Sequence, residues 1–155
     1  MSHTGTHTPP SPARVFTVPI SVASLAMGIA ILTSVITGGT VSRALSEMAV
    51  ITQLSACLPL ILGAAPAVIG ALNPGRLFSS LTAMGTERVG CILVGSGWLA
   101  YLIGILASEN PFAILSLGTT IGVASAFGWR AVDLWRTDRR VRRLLAVEDA
   151  VAEGR

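Results

Sequence analysis

The strongest constraint lies between Asn110 and Arg143, where a charge-free apolar segment runs into a cluster of arginines. Asn110 and Pro111 read as an N-cap and a first helical residue, and no charge follows until Arg130. About 20 helical residues at ~1.5 Å each cross the ~30 Å of a hydrocarbon core. Beyond Arg130, the residues Arg136, Arg139, Arg140, Arg142 and Arg143 outnumber Asp133 and Asp138, which by the positive-inside rule holds that end in the cytoplasm. A soluble fold cannot use such a segment well. Of 155 residues 52% are hydrophobic and only 12% charged, with a mean hydropathy of +0.70, too little polar surface to coat a globule of this size.

The same pattern recurs upstream, and the fold class it predicts is all-α: a polytopic four-transmembrane-helix bundle with a cytoplasmic C-terminal helical extension. Residues 1–14 form a Thr/Pro/Ser-rich tail with almost nothing to bury, expected to be disordered and cytoplasmic. His3 and His7 stand four apart, but the prolines and glycine around them discourage the helix that would bring them over a metal. A transmembrane domain follows over 15–130, with spans at about 18–39, 48–72, 89–107 and 111–129. Residues 131–155 continue as a basic amphipathic cytoplasmic helix and tail, with Leu134, Val141, Leu145 and Val151 on one side. Arg14, the pair Arg76 and Arg88, and the arginine cluster then fall inside, whereas Arg43 balanced by Glu47, and Glu109, fall outside. Both termini are expected in the cytoplasm of a bacterial inner membrane.

Small residues at four-residue intervals mark candidate helix-packing ridges, because they let a neighbouring backbone approach closely. In the first span these are Ala26, Ala30 and Ser34, continued by Gly38; in the second Gly63, Ala67 and Ala71; in the third Ser96, Ala100 and Gly104, continued by Ser108. Gly118, Gly122 and Ala126 make a GxxxGxxxA ridge in the fourth, the most association-prone surface of the chain. It can meet another span or a second copy in a homo-oligomer; packing within the chain is the simpler expectation. Pro59 and Pro66 each remove an amide donor, so the second span should kink and leave the carbonyls of Ser55 and Leu62 short of helical partners. Segment 77–84, LFSSLTAM, reads equally as a short interfacial helix or a loop. Trp98 and Tyr101 sit at mid-span, deeper than aromatic belts, and should hydrogen-bond inside the bundle. Cys57 and Cys91 lie at different depths and are expected to be unpaired thiols in packing roles.

These spans contain no Asp, Glu, Lys, Arg or His, which argues against proton-coupled transport and voltage sensing. No constellation of nucleophile and base or of metal ligands is present, so the chain is read as a non-enzyme without a cofactor. All eleven basic residues are arginine, seven of them at or after Arg130. Arg130, Arg136, Arg139, Arg140, Arg142 and Arg143 are therefore read as lipid-anchoring residues on anionic headgroups, each worth about 1 kcal/mol near the surface. Nucleic acid is not an expected partner, since no reading module accompanies the charge.

From Glu87 to Leu145 the chain carries an Arg88-Val89-Gly90 span opening, a central Gly97-Trp98-Leu99-Ala100-Tyr101 and an aromatic, arginine-rich tail. In this pattern it resembles the small four-span membrane proteins of actinobacterial phages and mobile elements, some of them holin-like. The resemblance implies an inner-membrane protein that perturbs the bilayer by self-association, and it supplies no catalytic residues. A membrane scaffold or superinfection-exclusion factor recruiting a partner through the arginine-rich tail is an alternative. A small-solute channel or exporter, which needs a polar cavity between Pro59, Trp98 and Tyr101, is another.

Overall fold

A computed structural model describes residues 12–39, 49–72, 79–107 and 113–152. Within them the regular structure is four α-helices, α1 Pro12–Thr37, α2 Val50–Leu72, α3 Ser80–Ala107 and α4 Ala113–Ala152. Three of these, over Val15–Thr37, Val50–Leu72 and Leu81–Ala107, are long and apolar enough to cross a membrane. Large apolar side chains such as Ile36, Ile51, Leu62, Ile103 and Leu106 point outward from them. Water would make that surface unfavourable, and lipid makes it neutral.

Each helix ends where its residues dictate. Pro12 opens α1, where a missing amide hydrogen is harmless. Gly38, at a φ of +63°, closes it in the left-handed conformation that a side chain disfavours. Ser79 caps α3, its Oγ accepting from the amide of Thr82 at 3.3 Å and lying 2.8 Å from the Thr82 hydroxyl. From Ser80 onward, segment 77–84 is thus neither a loop nor a separate interfacial helix: residues 80–84 open the third span, and residues 77 and 78 lie outside the described residues. Leu81, Ala83 and Met84 are good helix formers, and Gly85 costs only about 1 kcal/mol, too little to break the helix. The apolar window consequently widens to Leu81–Ala107 and takes in Glu87 and Arg88, so an acid and a base do enter a spanning helix. Tail residues 1–11, including His3 and His7, and the links around Arg43, Arg76 and Glu109 lie outside the described residues.

α2 is held between α1 and α3, and α4 packs on the far side of α3, touching α1 only slightly. The α2–α3 contact is the closest. A Cβ at Gly90 would stand 2.2 Å from the Ala67 nitrogen, one at Gly63 2.8 Å from the Val94 nitrogen, and one at Gly97 2.8 Å from the Ala56 carbonyl. As α2 numbers rise, their α3 partners fall, so the pair is antiparallel. Gly63, Ala67 and Ala71 are all buried, as a packing ridge requires. Around this seam Ile31, Leu60, Val94, Tyr101, Ile105 and Phe127 fill the core.

The first-span ridge faces elsewhere. Ala26 is exposed and Ala30 half-buried, and only Ser34 is covered, whereas Thr17, Ser21, Ser24, Gly28 and Ile31 are buried. Helix geometry explains the difference: a strict four-residue step drifts by about 40° each time, whereas alternating steps of four and three hold one azimuth. The third span repeats the point, with Ser96 exposed, Ala100 half-buried and Gly104 covered.

Candidate functional site

Chemistry in this molecule gathers where α3 begins and α4 leaves the apolar part of its sequence. Glu87, two turns into α3, is 1% exposed, and its Oε1 accepts from Arg130 Nη2 at 2.7 Å and from Nε at 2.8 Å. Arg130 also donates through Nη1 to Asp133 Oδ2 at 3.1 Å, one turn further along α4. Two donors on one carboxylate oxygen offset part of the desolvation that a lone buried charge would suffer. Sequence reasoning placed Glu87 in a loop and missed this pair. Its signal was positional: Glu87 lies about as far before the 108–112 link as Arg130 lies after it, which sets them opposite each other in an antiparallel helix pair.

Beside the ion pair two hollows open. One is an apolar groove of about 460 Å³ between α3 and α4, walled by Ile92, Leu99, Ala124, Gly128, Val132 and Trp135. The other is a cleft of about 520 Å³ formed by Pro66, Thr82, Gly85, Thr86 and Arg142. Arg88 lines both. It is half-buried and has no ion-pair partner among the described residues. Arg142 gives only its Nε to Asp138, at 3.1 and 3.2 Å from the two carboxylate oxygens. At the groove mouth the Arg139 guanidinium stacks 3.9 Å over the Trp135 ring.

Deeper in the bundle Trp98 Nε1 donates to Ser24 Oγ at 2.9 Å, and Ser24 Oγ donates in turn to the Ile20 carbonyl at 2.8 Å. Trp98 and Tyr101 meet edge to face, with centroids 5.9 Å apart. This chain satisfies the indole at its unusual depth. Cys57 and Cys91 are fully buried free thiols.

The residues singled out from sequence are distributed as follows. Pro59 and Pro66 lie half-buried within an unbroken α2, and Ser55 Oγ donates to the Thr52 carbonyl at 2.9 Å. Gly118, Gly122 and Ala126 are exposed, and a Cβ at Gly118 or Gly122 would meet nothing within 4 Å. Among the described residues the expected packing of this ridge within the chain does not occur, because α4 turns its Ala124, Phe127, Ala131 and Leu134 face inward instead. Arg136, Arg139, Arg140, Arg142 and Arg143 are exposed along α4, and Arg130 alone of the anchoring set is drawn into the bundle. Compared with protein-family models, with curated proteins and with solved structures, the chain matches none.

Proposed function

We propose that this is a non-enzymatic integral protein of the bacterial inner membrane that works by self-association and perturbs the bilayer in the manner of a holin. In this reading α4 supplies a fourth span over 111–129, both termini are cytoplasmic, and the exposed arginines rest on anionic headgroups. One observation carries it: among the described residues nothing covers Gly118 and Gly122, and Ala126 is exposed, while Gly63, Gly70, Gly90 and Gly97 of α2 and α3 are consumed in internal packing. In lipid, close backbone approach is a main source of helix association, and an uncovered GxxxGxxxA face is suited to a second copy. The resemblance to small phage and mobile-element membrane proteins agrees with this reading. A cysteine replacing Gly122 tests it. Disulfide dimers in native membranes, together with loss of membrane potential on expression and abolition of both by Gly122→Ile, are the expected results; monomers and an unchanged potential at high expression would overturn it.

A scaffold or superinfection-exclusion role is the second reading, favoured by the length of α4. At ~1.5 Å per residue its 40 residues reach about 60 Å, twice a hydrocarbon core. The distal part exposes Leu144, Val147 and Val151 beside its arginines. Removing residues 144–155 should abolish function without affecting dimers if this reading holds. A channel between Pro59, Trp98 and Tyr101 is disfavoured, since Tyr101 is buried and Trp98 is engaged with Ser24.

A further inference from the structure

We infer that the α3–α4 groove and the adjoining cleft form one binding site for a single anionic glycerophospholipid, with an acyl chain in the groove and the phosphate at Arg88 and Arg142. The site goes beyond the general attraction of exposed arginines to a charged surface, and it rests on α4 lying in the bilayer beside α3, not on self-association.

Three observations converge on that chemistry. First, the two hollows differ in character and share a residue. The groove is walled by carbon, by Ile92, Leu99 and Val132 among others, whereas the cleft is lined by Thr82 and Thr86, whose hydroxyls bond within α3 and its cap, and by the guanidinium of Arg142. Arg88 belongs to both, so an occupant that satisfies both must be amphiphilic, with its polar part at Arg88. Second, Arg88 carries an unneutralised charge inside a helix apolar enough to span a membrane, although its neighbour Glu87 is fully engaged by Arg130. A half-buried guanidinium without a carboxylate is costly in hydrocarbon, and a phosphate oxyanion meets its planar donor fork well. Third, Arg88 keeps its charge to itself: Glu87 and Asp133 are both taken by Arg130, and Asp138 by Arg142, so none of these three carboxylates pairs with Arg88. Arg142, which lines the cleft, uses only Nε toward Asp138. A volume near 460 Å³ lies within the ~300–1,000 Å³ range of small-molecule pockets.

The full chain, purified in a mild non-ionic detergent, is mixed with dioleoylphosphatidylglycerol, with dioleoylphosphatidylcholine of the same chains, or with inorganic phosphate, and examined by native mass spectrometry and thermal unfolding. One phosphatidylglycerol should be retained per chain and should raise the unfolding temperature, with phosphatidylcholine and phosphate doing neither. Arg88→Gln should weaken retention about tenfold, as for loss of one charge-assisted hydrogen bond. Gly128→Leu, where an added Cβ meets nothing within 4 Å, should block the groove with Arg88 intact and weaken retention likewise. Equal retention of the two lipids, or phosphatidylglycerol binding indifferent to both variants, would reduce the site to ordinary boundary lipid and overturn the inference. Stabilisation by phosphate alone would also overturn it, in favour of a soluble anion. If one variant fails to fold, the other and the comparison of the two lipids still decide. Dimers are read independently in the same spectra, so failure of self-association and failure of the lipid site are distinguishable.

Discussion

Arg130 Nη2 lies 2.7 Å from Glu87 Oε1, and this is the only ion pair between two helices among the described residues. It ties α4 to α3 at the level where α4 turns from apolar to basic. With side chains 11% and 1% exposed, each partner depends on the other to avoid an uncompensated charge.

Arg130→Ala should therefore destabilise the bundle by about 3–5 kcal/mol, the usual result of stranding a buried charge. Glu87→Gln should cost less, because it leaves an acceptor for Arg130 and buries no unpaired carboxylate. A Glu87→Leu/Arg130→Met double variant should recover most of the loss. Unfolding titrations in mixed detergent micelles measure all three, and a single Arg130→Ala variant as stable as the parent would refute the structural role of the pair.

Two glycines with the same side chain should respond oppositely to alanine. At Gly90 a new Cβ would sit 2.2 Å from the Ala67 nitrogen, and backbone cannot swing aside as a side chain can. Gly90→Ala should cost about 1–3 kcal/mol or more through forced separation of α2 and α3. Gly122→Ala meets nothing and should leave the monomer unharmed, gaining up to about 1 kcal/mol in helix propensity. Melting temperatures in detergent under monomeric conditions compare them; the reverse ranking would mean that the helices pack through other faces.

Trp98→Phe and Ser24→Ala each remove the 2.9 Å indole–hydroxyl bond. Each should cost about 0.6 kcal/mol beyond any change in packing, with 1.7 as a ceiling, in line with hydrogen bonds between membrane helices. A double-mutant cycle isolates the shared part. Additive losses, with no coupling between the two positions, would place the indole and the hydroxyl apart.

Thiol labelling gives a direct test of burial. Cys57 and Cys91 are 0% exposed, so neither should react with a maleimide in the native membrane, and both should react once the chain is unfolded in hot detergent. A cysteine introduced at Arg139, on the exposed side of α4, should label at once in inverted vesicles or permeabilised cells. Rapid native labelling of Cys57 would be incompatible with its place between α1 and α3.

The helical, apolar character of this protein is written locally. In hydrocarbon every backbone amide needs a partner within its own segment, so a long uncharged stretch has one economical conformation; α2 falls within two residues of where composition places it, whereas α1 starts early, at Pro12, and takes residues 12–14 out of the expected disordered tail into helix. The ridge of Gly63, Ala67 and Ala71 was legible too, because its neighbour α3 brings glycines of its own. Ala26 and Gly122 show the limit. Small-residue spacing says that a face can be approached closely; which face is approached depends on the azimuth at which each helix meets its neighbours, and a four-residue repeat drifts off that azimuth within a few turns.

Sequence alone thus determined that the chain builds membrane-length helices with a basic end, since hydropathy and charge act residue by residue. Only the tertiary arrangement decided that α3 carries Glu87 in among the helices to meet Arg130, that Arg88 is left without a carboxylate between a groove and a cleft, and that the fourth ridge faces outward. Each of these depends on residues far apart in the chain being held at one depth and one rotation, a relation that no local pattern contains.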